Sequence, residues 1–238
     1  MFWFTEGMCF LPMFLVIWSL STFIISYIIA ITLKDVDVIL PYISDTGAIQ
    51  PESGVFGFMS TIATFATFAT MYVEYKFVER VHETTGAMSP RFNKVSFAFG
   101  IISCVGMLLV ATFQETTMRK THDVGASLFF ICGSIYAVIQ SVISYRGHPY
   151  GCSKYTCHFR AFFAGLAVLA VLPTIICSVV VGKNSLHWDT NDKHYTIHLV
   201  STVCEWITTF SFVFFFLTYI REFQQFTLKL TVNLIENS

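Results

Sequence analysis

Long apolar stretches separated by short polar ones set the pattern of this chain. Six runs, at residues 10–33, 54–73, 95–113, 124–144, 161–181 and 199–220, approach or exceed the roughly 20 apolar residues needed to cross bilayer hydrocarbon. None keeps the two-residue alternation of a barrel strand, and all are longer than the about 9–11 residues such a strand uses. Hydrocarbon offers the backbone no partner but itself, so each run predicts a helix. The connectors are short, and there is no internal repeat or low-complexity tract. The expected fold is all-α: a single polytopic membrane domain over residues 1–238, built as a six-transmembrane-helix bundle with a short tail at 221–238.

Composition agrees. The chain is 55% hydrophobic, with 26 Phe, and only 12% charged, against about 25% charged in an ordinary soluble domain. That much apolar surface cannot be hidden in a soluble fold of this length. A net charge of -1 gives no electrostatic case for nucleic acid. The first run is too long for a cleavable signal peptide and has no basic segment before it, so it reads as an uncleaved anchor.

Lys and Arg divide nine to five in favour of the side holding both termini and the second and fourth connectors. Positive charge stays cytosolic, so both termini are expected in the cytosol. Arg146, Lys154 and Arg160 strengthen this, having no acidic neighbours in the fourth connector. The first connector, with Asp35, Asp37, Asp45 and Glu52 against Lys34, then faces a lumen or the exterior.

The core of that connector is LPYISDTGAIQPESG, residues 40–54. Pro41 and Pro51 lack a backbone donor and push the preceding residue to extended geometry. Asp45-Thr46-Gly47 reads as a turn, with Gly47 free to take positive φ. Two readings stand: a polar connector with fixed turns, or a recognition surface held on a rigid scaffold. Under the second, Pro41, Tyr42, Asp45 and Gly47 are the candidate residues.

Within the spans, Glu205 is the formally charged residue that stands out, in the run Cys204-Glu205-Trp206. An acid at the centre of a membrane helix costs about 2.5–3.5 kcal/mol to insert, which points it inward. His198, Ser201 and Thr202 precede it by seven, four and three residues and share its helix face. Glu205, Trp206 and His198 are therefore candidates for a proton or ion site, or for a hydrogen-bonded clasp between spans. Gln140 is a partner for Glu205 only if their depths match. Pro173 is expected to kink the fifth span. The small residues Ala63, Ala66, Thr67 and Thr70 suit close packing of the second span.

Outside the spans, His122, His187, His194 and His198 fall on or near the lumenal side, and Asp189 and Asp192 accompany the last three. Histidine titrates near pH 6.5, so the fifth connector reads either as a pH-responsive loop or as a solvated one. Cys152 and Cys157, with His148 and His158, do not make a standard zinc spacing. They are candidates for reversible lipidation beside the membrane. Tyr75 and Val78 fit an aromatic-x-x-apolar sorting pattern, against the alternative of interfacial aromatic anchoring. In the tail, Phe223, Phe226, Leu230 and Leu234 would line one face of a surface helix, though residues 226–234 also alternate as a strand does. No phosphate-binding loop, nucleophile elbow or metalloprotease helix occurs, and no motif asks for a cofactor.

Several segments taken together resemble one family. They are PYISDTG before the second span, PESG-x-FGFM entering it, HDVGA at the start of the fourth and Q-x-x-ISY closing it. CEW in the sixth span and FLTYIREFQ at its exit complete the set. The chain resembles the damage-regulated autophagy modulator family, within the wider Frag/DRAM/Sfk group of six-span proteins, over essentially its whole length. Its short tail is more similar to the founding member than to the longer-tailed paralogue. The resemblance implies a multi-pass protein of the lysosomal membrane that promotes autophagy and is linked to stress-induced, p53-dependent apoptosis. Its implied partners are membrane lipids and membrane or autophagy-machinery proteins. It carries over no catalytic residue. A proton-coupled transporter or channel using Glu205, or a lipid-handling protein, are the alternative readings.

Overall fold

The computed structural model describes residues 7–87, 89–182 and 185–228. Six long helices carry the fold: α1 (Phe10–Leu33), α2 (Glu52–Thr85), α3 (Pro90–Thr112), α4 (Glu115–Gly147), α5 (Lys154–Val181) and α6 (Tyr195–Leu217). A single turn, α7 (Ile220–Phe223), follows α6, and a 3-10 turn spans Asp45–Gly47. There is no strand among the described residues. All six long helices are long and apolar enough to cross a membrane. The expected tail helix through Leu230 and Leu234 lies outside the described residues.

Several helices outrun the apolar runs that predict them. α2 has 34 residues and α4 has 33, or about 50 Å each, against roughly 30 Å of hydrocarbon. Their ends follow local chemistry. Gly86 (φ 68°) and Gly182 (φ 59°) close α2 and α5 in the left-handed region. Pro90 opens α3, where its missing N–H costs nothing. The Ser153 hydroxyl caps α5 by accepting from Thr156 N. α5 runs unbroken through Pro173, whereas α4 departs from helical geometry at Met118 (φ -129°, ψ 48°).

Neighbours in sequence pack side by side from α1 to α6, and α6 returns to α1, so the helices form a closed ring. Both ends of the ring chain lie on one face. There the Met8 amide donates to the Phe223 carbonyl at 2.6 Å, tying the start of the chain to its last turn. This is the terminal face; the α1–α2, α3–α4 and α5–α6 connections make the distal face.

The ring is apolar outside and hydroxyl-rich inside. Val179, Leu169, Leu172 and Ile17 are among the exposed side chains, while Ser19, Thr22, Ser26, Thr64 and Thr70 are buried. Lipid tails are as apolar as Leu, so association in a membrane depends on close packing and internal hydrogen bonds rather than on a hydrophobic drive. The tightest approach is between α3 and α4. A Cβ on Gly106 would lie 2.5 Å from Phe129 N, and one on Gly125 would lie 2.9 Å from Gly106 O. The α2 small residues play a different part: Ala63 and Thr67 line an internal cavity, and Ala66 and Thr70 are buried beside it.

The terminal end of the ring holds a buried charge cluster that the sequence pattern does not reveal. Arg160 is a residue of α5 rather than of a solvated connector, and it is 1% exposed. Its Nη2 meets Glu222 Oε2, and its Nη1 donates to Glu222 Oε1 at 3.1 Å and to Ser144 Oγ at 2.7 Å. Its Nε donates to Thr218 Oγ1 at 2.9 Å, and the Tyr219 ring lies 4.2 Å from the guanidinium carbon. Glu74 is buried close enough to feel both charges. The acidic neighbours missing from the fourth connector come from α2 and from the far end of the chain.

Breaking a buried ion pair strands a charge, at a cost of about 3–5 kcal/mol. Arg160→Met or Glu222→Leu alone should therefore lower the unfolding temperature of detergent-purified protein sharply. The double variant should recover most of the loss. Equal damage from single and double changes would show that the pair does not hold the terminal face.

Candidate functional site

The first connector folds back into the distal mouth of the ring instead of projecting from it. Ile43, Asp45, Thr46 and Ala48 are each no more than 5% exposed. Four of the six long helices contribute a hold. From α6, the Glu205 carboxylate accepts from the Ile43 backbone N–H at 3.0 Å, and the Trp206 indole donates to the Pro41 carbonyl at 2.9 Å. From α1, Ser26 Oγ and Thr46 Oγ1 lie 2.9 Å apart. From the start of α4, Thr116 donates to the Ala48 carbonyl at 2.8 Å, while Glu115 accepts from Ser44 Oγ at 3.3 Å. From α2, Phe56 packs under Gly47.

The connector between α5 and α6 covers this cap. Asp37 accepts from the Trp188 backbone N–H at 2.7 Å and meets His187 Nδ1 at 3.0 Å. The His198 ring is held between Trp188, stacked at 4.4 Å, and Tyr42, edge-on at 5.0 Å. Pro41, Tyr42, Asp45, Gly47, His198, Glu205 and Trp206 thus meet in one place, although more than 150 residues separate the two groups in sequence.

Three carboxylates, Asp45, Glu115 and Glu205, crowd the site. Burial lifts the Asp45 carboxyl well above the usual carboxylate range, and the charges of Glu115 and Glu205 lift it further. Burial also raises the Tyr42 phenol, which is kept un-ionised. Asp189, on the exposed connector, is shifted down by the Asn191 backbone N–H it accepts from. The His198 Nδ1 has no hydrogen-bond partner among the described residues. His122 is buried too, with Nδ1 2.7 Å from the Phe113 carbonyl.

Two expectations about this loop change, and the open question of Gln140 is answered. Gly47 does not take a positive φ. Its side-chain hydrogen is required because a Cβ would lie 2.5 Å from the Phe56 ring. Leu40 is not extended before Pro41 but sits at φ 47°, an arrangement costing about 1–2 kcal/mol for an L-residue. The Trp206 bond to the next carbonyl helps hold it there. Gln140 does not partner Glu205. The α4 residues that line a hollow with Glu205 are His122, Ala126, Phe129 and Phe130, and Gln140 lies ten residues beyond the last, roughly 15 Å along the helix.

The remaining candidates lie elsewhere. Tyr75 and Val78 are inside α2: the Tyr75 ring stacks on Phe97 at 5.0 Å, and Val78 is buried against Val81 and Ile143. Both therefore lie in a packed helix and not in an extended exposed peptide. Cys152 and Cys157 are 7% and 0% exposed, with sulfurs 3.2 Å apart. Burial raises the Cys152 thiol well above its usual value, which keeps it protonated and a poor nucleophile. Neither sulfur is presented for acylation in this packing. Glu115, Asp37, Thr46 and Trp188 are site residues that sequence reasoning did not single out. Only Glu115 carried a signal, as an acid at a helix N-terminus.

Comparison with known proteins gives the family. Residues 7–226 match the model described as the Frag1/DRAM/Sfk1/Cwh43P N-terminal domain. The chain belongs to this family. DNA damage-regulated autophagy modulator protein 1 of Mus musculus is 45% identical over 97% of this chain and 97% of its own length. The Homo sapiens protein of that name is 44% identical over the same shares. DNA damage-regulated autophagy modulator protein 2 of Mus musculus is 44% identical over 98% of this chain and 90% of its own. No solved structure matches. The chain is thus an autophagy-related, multi-pass membrane protein of the Frag1/DRAM group, with its buried distal cap inside the matched region.

The raised Asp45 carboxyl has a pH consequence. The folded state keeps a proton that the unfolded chain releases above about pH 4, so this contribution is full in acid and fades as pH rises. Detergent-purified protein should therefore melt higher at pH 5 than at pH 7.5, and Asp45→Asn should shrink the difference. Melting that rises with pH would contradict the assignment. Separately, Gly47→Val should destabilise the cap by about 1–3 kcal/mol through overpacking against Phe56, seen as faster labelling of a cysteine placed at Ser44.

Proposed function

We propose that the chain is a non-catalytic regulator in the lysosomal membrane that promotes autophagy and contributes to stress- and p53-linked apoptosis. Both termini would lie in the cytosol and the distal cap would face the lumen. The family membership supports the first part, since the relatives are named as autophagy modulators regulated by DNA damage. The Lys and Arg distribution supports the sidedness.

The observation that carries the reading is the cap itself. Its buried Asp45 and Glu205, with the half-buried Glu115, couple the distal connectors to α6. That helix runs on through α7 to the Arg160–Glu222 cluster under the terminal face. In this reading an acidic lumen favours the docked cap, and cytosolic partners meet the α2–α3 and α4–α5 connections. A transporter or channel built on Glu205 is the second reading, because that side chain lines two neighbouring hollows. Ion flux into proteoliposomes that vanishes in Glu205→Gln would favour it.

Two measurements test the first reading. Loss of the gene product should lower autophagic flux under starvation or DNA damage, and re-expression should restore it; unchanged flux would remove the proposal. In intact lysosomes, a cysteine placed at Ile39 should resist membrane-impermeant labels while tags at either terminus react. Labelling of the Ile39 site from the cytosolic side would reverse the orientation.

A further inference from the structure

Three hollows follow one another from the distal mouth to the middle of the ring. The outermost, about 630 Å³, opens between α4 and α5, with Val179, an exposed side chain, on its rim. It shares Ser44, Phe130 and Glu205 with a middle hollow of about 410 Å³. That one shares Phe23, Met107, Phe129 and Thr209 with an inner cavity of about 820 Å³.

The chemistry changes along this path. At the mouth, Arg119 is already committed: it pairs with Asp123 at 3.4 Å and donates to the Gly182 carbonyl at 2.8 Å. Glu115 and Glu205 are the remaining charged residues that line it, and Asp45 lies close behind. The mouth is therefore lined by carboxyls, and a cation placed among them would favour their charged form. The inner cavity is walled by Leu, Val, Met and Phe side chains, interrupted by hydroxyls. Thr22, Thr64 and Thr67 spend theirs on their own helix, and Ser103 donates to the Phe129 carbonyl at 2.9 Å. Ser60 Oγ, 1% exposed and on the cavity wall, has no partner among the described residues.

We infer that the stacked hollows bind a single-chain amphiphile with a protonated amine. The ammonium sits between Glu205 and Glu115 and relieves the crowding of carboxylates. The chain passes the Phe129 and Phe130 rings into the inner cavity, where a hydroxyl or other polar group on it meets Ser60. The narrower middle hollow limits the site to one chain. Such a molecule arrives from the distal leaflet through the α4–α5 opening or from the adjoining aqueous phase.

The test uses purified full-length protein in lipid nanodiscs with two photoactivatable probes: an 18-carbon sphingoid-type amine and a fatty acid with the same chain and diazirine position. The amine should label peptides carrying Met107, Phe129 or Thr209. Glu205→Gln should weaken its apparent affinity about tenfold, the loss of one charge-assisted contact, while labelling by the fatty acid stays low. Thr209→Phe, or Ser19→Leu if that variant misfolds, should abolish internal labelling. Equal labelling by both probes, labelling confined to lipid-facing residues, or a folded Glu205→Gln that labels as wild type would each overturn the inference. Probe preloaded in the discs and probe supplied in buffer separate a bilayer source from an aqueous one; labelling by neither route also overturns it. The readout is binding alone, so failure leaves the autophagy reading standing.

Discussion

A backbone N–H buried away from water must find an acceptor, and at Ile43 that acceptor is the Glu205 carboxylate. The rest of the distal architecture depends on this one bond. It draws the first connector into the ring, brings the Pro41 carbonyl to Trp206 and sets Thr46 against Ser26. It also explains why a membrane helix tolerates an acid there: the group that costs free energy to bury is also the group that satisfies the loop.

The ring is thereby held by polar groups at both ends and by close contact in the middle. The distal end has three acids around a buried loop. The terminal end has one guanidinium shared among Glu222, Ser144 and Thr218. Between them the helices meet through glycines, hydroxyls and buried apolar clusters, with a hollow among them. In lipid, where burial of apolar surface drives little, such directional contacts decide which helix faces which.

What could be read from the chain divides along a physical line. The six spans were legible because hydrocarbon imposes a length and a composition on each segment separately. Glu205 was legible because an acid in a greasy run is costly anywhere. The partners were not, since Ile43 and Arg160 are 162 and 62 residues from the carboxylates they meet. No local pattern encodes such pairings. Arg160 passed for a solvated basic residue because its helix begins at Lys154, earlier than hydropathy suggests. Gly47 was singled out for conformational freedom, when its real role is to leave room for Phe56. The inward fold of the first connector was hidden for the same reason: its polar residues suit water or a satisfied interior equally well.

Closure of the ring between α1 and α6, with Met8 bonded to Phe223, bears on how the molecule is made. The first helix enters the bilayer long before its final neighbour has been synthesised. Until then Ser26 has no Thr46 docked by Glu205, and the hydroxyl-bearing side of α1 faces lipid or a translocation partner. Assembly is complete only when the last helix and its terminal turn arrive. Every prematurely ended chain is therefore an open ring, with its polar lining displayed to the machinery that removes unfinished membrane proteins.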